Sequence, residues 1–104
     1  MATLIYGPQN LHVEFDERVL AHVKVAVLAK LRRSESFSLS WVEGESAGHG
    51  RSSIWLNPAV PLQFRFRERS RQRLNRAWVE EMLQSANLHG ELTIGPEPAP
   101  APEN

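Results

Sequence analysis

The sequence contains no cysteine. Disulfides, thiol catalysis and cysteine-ligated zinc are therefore excluded, and a reducing cytoplasm is the expected location. Lysine is nearly absent, with only Lys24 and Lys30, and Asp16 is the one aspartate. Net charge is absent as well: 12 basic and 12 acidic residues cancel, so no overall field draws polyanions or basic partners from a distance. No stretch approaches the roughly 20 apolar residues of a membrane span. The opening "MATLIYGPQN" lacks the basic start and sustained apolar run of a signal peptide.

What is present describes one globular domain. The chain has 104 residues, 41% of them hydrophobic and 23% charged, enough for a single modest core. "TLIYG" is a short β-type run, and "GPQN" reads as a turn. "LHVEF" then alternates, with Leu11, Val13 and Phe15 on one face, so the two runs form a hairpin. Asp16 suits a helix N-cap, Glu17 complements the helix dipole, and Lys30, Arg32 and Arg33 sit at the opposite end. Between them Leu20, Val23, Val27 and Leu31 form an apolar stripe that Val19, Ala26 and Ala29 widen.

Further strands follow in "SFSLSW", with Phe37, Leu39 and Trp41 inward, and in "RSSIWL" and "PLQFRF". A second helix begins after Leu74-Asn75, with Asn75 as N-cap and Leu74 placed to staple onto Val79. Its stripe is Trp78, Val79, Met82, Leu83 and Ala86, and Asn87 to Gly90 suit a left-handed C-terminal cap. "ELTI" supplies a last short strand. The expected class is α+β, a single domain over residues 1–95 in the order β-β-α-β-β-β-α-(β). A mostly antiparallel sheet would carry both helices on one face. Residues 96–104, rich in proline, are expected to be an extended, disordered tail that can be removed without loss of stability.

Half of the basic residues crowd into twelve positions: Arg65, Arg67, Arg69, Arg71, Arg73 and Arg76. Arg65 and Arg67 alternate with Phe64 and Phe66 and read as the solvent face of a strand, while Arg69, Arg71 and Arg73 fall in a mobile polar connection. Trp41 and Trp78 lie on apolar stripes and read as core. Trp55 alternates away from Ile54 and Leu56, which puts it at an edge or on the other sheet face.

Little here suggests catalysis. "GESAGHGRSS" is glycine-rich, but it lacks the lysine and the following helix of a phosphate loop and reads as a hairpin connection, with His49 and Arg51 the residues in reach of a ligand. His12, His22, His49 and His89 show no paired metal-ligand spacing. His22 shares a helix with Arg18 and reads as a solvated or partly buried side chain. A Ser-His-Asp site would have to take Asp16 from its cap. Glu80 and Glu81 read as the outer face of the second helix. No cofactor and no metal are expected.

"TLIYG", "EFDERVLAHVKVAVLAKLRRSESFSLSW", "GRSSIWLNPAVPLQFRF" and "NRAWVEEMLQSAN" together resemble a family of small actinobacterial proteins of unknown function, over nearly the whole chain to about residue 98. Members of that family often carry the label "ATP-dependent DNA ligase". The resemblance implies an actinobacterial origin and one compact domain, and it transfers no activity. Such ligases need a lysine nucleophile in a Lys-x-Asp-Gly motif, and neither Lys24 nor Lys30 lies in one.

The leading expectation is a small non-enzymatic protein that self-associates as a dimer burying Trp55. The alternative is an accessory nucleic-acid binder using Arg65 to Arg76, and an enzyme ranks last. Arginines paired with Glu14, Glu80 or Glu81 would favour the first. An unbroken basic surface around Trp55 would favour the second, and a deep polar pocket near His49 the third.

Overall fold

The computed structural model of the protein describes residues 1–43 and 50–100. The glycine-rich connection with His49 lies outside the described residues. The elements run β1 (Ala2–Tyr6), β2 (Leu11–Phe15), α1 (Glu17–Arg32), β3 (Phe37–Val42), β4 (Arg51–Leu56), β5 (Leu62–Arg65), α2 (Arg76–His89) and β6 (Glu91–Thr93). The α+β class and the order agree with the reading of the sequence.

The strands divide into two three-stranded sheets, ordered β2-β1-β5 and β4-β3-β6. The consecutive strands β4 and β5 part because residues 57–61 carry the chain from one sheet to the other. Asn57 turns it, its side chain accepting the Ala59 N–H at 2.9 Å and its carbonyl accepting that of Val60 at 3.1 Å. The Pro61 carbonyl then accepts the Gly7 N–H at 2.9 Å, which leads the chain into its pairing with β1. β1 and β2 form the expected antiparallel hairpin, closed by Gly7 and Asn10 at positive φ (80° and 55°). β6 pairs parallel to β3, with Leu92 opposite Leu39.

Residues of both sheets share one core. Phe15 of β2 meets Trp41 of β3 edge-on, ring centroids 5.4 Å apart, and the Tyr6 hydroxyl of β1 donates to the Trp55 carbonyl of β4. Trp41, expected in the core, is only partly buried, because its indole N–H reaches out to Glu43 at 3.1 Å. Trp78 is buried as expected.

The helices are capped as their sequences require. The Asp16 carboxylate accepts the Arg18 N–H at 2.9 Å, the Asn75 side-chain oxygen accepts that of Ala77 at 3.1 Å, and Gly90 ends α2 at φ 69°. Leu20, Val23 and Val27 enter the core with Leu4, Phe37, Leu39 and Leu92. A second stripe of α1, His22–Ala26–Lys30 at intervals of four, is also buried, and its polar ends reach α2. His22 meets Asn75 and Trp78 near the start of α2, while Lys30 Nζ donates to the Asn87 side chain at 2.6 Å near its end. The two helices therefore run side by side in the same direction.

His22 corrects the sequence reading. It is completely buried rather than solvated or partly buried. Its Nδ1–H donates to the Arg18 carbonyl at 2.7 Å, and its Nε2 accepts the Asn75 N–H at 2.8 Å. That geometry specifies the neutral ring with hydrogen on Nδ1. The ring also lies 4.7 Å from that of Trp78. An apolar contact surface and two satisfied nitrogens make the burial tolerable.

Asp16 and Asn75 are both caps, but only Asn75 is also a joint. Asp16→Ala is expected to cost about 1 kcal/mol, as for an ordinary cap. Asn75→Ala loses the cap and two further side-chain hydrogen bonds from a buried position, and about 2–3 kcal/mol is expected. Urea denaturation of the two variants separates these outcomes, and equal losses would remove the distinction.

Candidate functional site

α1 carries a third face. Glu17, Ala21, Lys24 and Val25 recur at the i, i+4, i+7 and i+8 positions and look towards the segment between β5 and α2. That segment holds the arginines. Arg65 lies at the end of β5, opposite Thr3, and is exposed, while Leu62 and Phe64 between the polar positions are partly covered. The solvent-face reading of Arg65 agrees with this.

Arg67 was expected on the same strand, but β5 ends at Arg65. The reason is Glu17: its carboxylate accepts the Arg67 N–H at 3.0 and 3.3 Å and the Glu68 N–H at 3.0 Å, turning the backbone away from a ladder. Downstream, Arg18 Nη1 donates to the Arg73 carbonyl at 3.0 Å and to the Gln72 side chain at 3.4 Å. The connection read as mobile is thus fastened to α1 at both ends. Arg67, Arg69, Arg71, Arg73 and Arg76 all keep exposed side chains.

Among the described residues, none of the six arginines forms a salt bridge; the ion pairs are Arg18–Glu97, Lys30–Glu35 and Arg33–Glu35. Glu14 instead accepts the Thr3 hydroxyl at 3.0 Å. The expected discriminating pairs with Glu14, Glu80 or Glu81 are not made.

Between the third face of α1 and the fastened connection lies a cleft of about 330 Å³. Ala21, Val25, Phe66 and Leu74 supply its apolar surface, and Lys24, Arg69 and Arg71 its cations. Lys24 Nζ stands 5.8 Å from the centre of the Phe66 ring, within cation–π range. Leu74 is 50% exposed and faces the cleft. Val25, an apolar residue off the core stripe and next to Lys24, was the sequence signal for this face, masked by the stronger core stripe.

Trp55 lies on the other sheet from Arg65. It projects from β4, an edge strand of that sheet, and is 55% exposed. Its face also carries Arg51, Ser53, Ser38 and Val42, as the β3–β4 register requires. Trp55 does not line the cleft.

The proline-rich segment contributes one more charge. Glu97 takes Arg18 in a two-pronged contact, Nε and Nη2 each at 2.7 Å. The Asn75 amide donates to the same carboxylate and to the Pro98 carbonyl, both at 2.9 Å, and the Trp78 indole donates to the Gly95 carbonyl at 3.2 Å. Contacts therefore continue past residue 95, where the domain was expected to stop. The hydrogen bonds from Arg18 and then Asn75 hold the Glu97 carboxyl down at about 2, and the same contact raises the Arg18 guanidinium. Because α1 and α2 run in parallel, their positive N-termini lie together, and Asp16, Glu17 and Glu97 gather where negative charge is favoured.

Both nitrogens of His22 are committed, and Asp16 serves its cap. Among the described residues no group of three or more His, Asp or Glu side chains is placed to hold a metal, and no helix is long and apolar enough to cross a membrane.

A family model for a domain of unknown function (DUF7882) matches residues 1–97. The chain belongs to this family. No curated protein matches it, and no solved structure does. The DUF7882 match brings no activity, and its span takes in Glu97 together with Arg18 and Asn75.

The depressed Glu97 carboxyl predicts a pH dependence. The folded state holds this group at about 2 and the unfolded chain at its ordinary 4.5, so the folded state binds the proton less readily. Its stabilising contribution is complete above 4.5 and is lost as pH falls towards 2. Thermal unfolding of the parent and of Glu97→Gln should show a lower midpoint for the variant at pH 7 and coincident midpoints near pH 2. A midpoint gap that ignores pH would mean the carboxylate is not the group that matters.

Proposed function

We propose that the protein is a non-catalytic binding domain for an anionic partner, docked on the Arg65–Arg76 segment and the cleft it forms with α1. One observation carries this: six exposed arginines, without a salt bridge among the described residues, stand on a backbone that Glu17 and Arg18 hold in place. Guanidinium groups in that state retain their charge and forked donors for carboxylate or phosphate. Because the anchor points are already made, less conformational entropy is lost on binding. The zero net charge means that recognition relies on contact rather than long-range steering.

Nucleic acid is one anionic class. Trp55 belongs to the other sheet and does not line the cleft, so it is no stacking platform within it. Single- and double-stranded oligonucleotides are expected to bind only in the nonspecific range, roughly 10⁻⁴ to 10⁻⁶ M at physiological salt. Self-association is a second reading, favoured by Trp55 and by Val42, 66% exposed on the same face of a sheet whose edge strand is β4.

The first reading is tested by fluorescence anisotropy with a labelled glutamate-rich peptide and with oligonucleotides. Peptide binding should weaken with salt and be lost when Arg69, Arg71 and Arg73 are together replaced by Gln; absence of any anion binding at low salt would sink it. Light scattering at micromolar concentration tests the second. A dimer that Trp55→Ser dissociates supports it, and a monomeric parent eliminates it.

A further inference from the structure

We propose that the cleft between α1 and the arginine connection receives a short acidic peptide segment of a partner protein. An apolar side chain would be seated against Val25, Phe66 and Leu74, with a neighbouring carboxylate on Arg69 and Arg71. This rests on the anionic-partner reading and deepens it by naming the partner's chemistry.

The cleft has two kinds of surface, and a ligand must match both. Val25 on one wall and Leu74 on the other are 37% and 50% exposed, so apolar groups remain open to solvent on opposite sides of one groove. Covering them is favourable for any apolar group that fits. The volume of about 330 Å³ lies at the lower end of ligand-site sizes and suits one or two side chains. Arg69, Arg71 and Lys24 line the same space, so the apolar group must arrive with negative charge beside it.

Three features favour a peptide over a polynucleotide. The one aromatic ring in the cleft, Phe66, has Lys24 over its face at 5.8 Å, so it is not a free platform for a base. Glu17 and Glu68 also line the cleft, and an evenly charged phosphate chain would pass close to both. A peptide alternates acidic, apolar and neutral groups and avoids that repulsion, while Ser70 and Gln72 offer polar partners for its backbone.

The test is a ¹⁵N–¹H NMR titration of the full chain. The probes are a glutamate-rich peptide with one central leucine, the same peptide with that leucine replaced by serine, and a third with its glutamates replaced by glutamine. A single-stranded oligonucleotide is the fourth. The leucine-bearing acidic peptide should give saturable shifts at the amides of Ala21, Val25, Phe66 and Leu74. Loss of either the leucine or the charges should weaken binding by about tenfold or more. Leu74→Gln, at an exposed position, should weaken the leucine-bearing peptide towards the affinity of its serine counterpart, with an unchanged melting temperature showing that the fold is intact. If the serine peptide binds equally well, the apolar surface is unused and this inference falls while the anionic-partner reading stands. If the oligonucleotide alone binds, the partner is nucleic acid and the inference falls, with the broader reading again intact. Binding of none of the four at low salt overturns both.

Discussion

The joint between His22 and Asn75 is the contact on which the rest of the molecule depends. One neutral imidazole bridges the Arg18 carbonyl of α1 and the Asn75 amide that opens α2, with the Trp78 ring against its face. The bond to Arg18 fixes the ring on α1, and the bond from the Asn75 N–H ties that ring to the start of α2. Asn75 extends the joint, capping α2 with its oxygen and holding Glu97 and Pro98 with its amide. Arg18, one turn before His22, then spans from Glu97 to the Arg73 carbonyl. Removing the ring would leave a buried amide unsatisfied at the place where three segments meet.

Parallel packing of the helices has an electrostatic consequence. Two positive helix ends in contact repel, and acidic side chains relieve this most effectively when they sit at both starts. Asp16 and Glu17 come with α1, whereas the first turn of α2 has no acid of its own. Glu97 arrives from far along the chain to supply one. The same arrangement leaves Glu17 facing the β5–α2 connection, where it ends the strand and shapes the cleft wall.

Separation of the strands into two sheets divides the surface into two unlike regions. Trp55 and Val42 belong to the β4-β3-β6 sheet, and Arg65 with the connection after it belongs to the β2-β1-β5 side. Alternation along "RSSIWL" and "PLQFRF" shows which residues face out of each strand. It carries no information on whether the two strands are neighbours, since pairing depends on partners distant in sequence. The turn at Asn57 and the pairing of β5 with β1 decide that question.

By itself the sequence determined what local physics governs. Both N-caps, the left-handed Gly90, the β1–β2 hairpin, the main helix stripes and the outward face of Arg65 all follow from periods of 2 and 3.6 residues and from the chemistry of helix ends. Length and composition carried the single domain, and the order of the strand and helix runs its α+β class. His22, Lys30, Arg18 and Glu97 were illegible for one common reason: a polar residue can be buried or held only where a partner satisfies it, and each of them has a partner more than fifty positions away. The cleft has the same origin. Val25 and Leu74 are each a stray apolar residue in the sequence, and only the docking of the connection onto α1, through Glu17 and Arg18, brings them into one groove with Arg69 and Arg71.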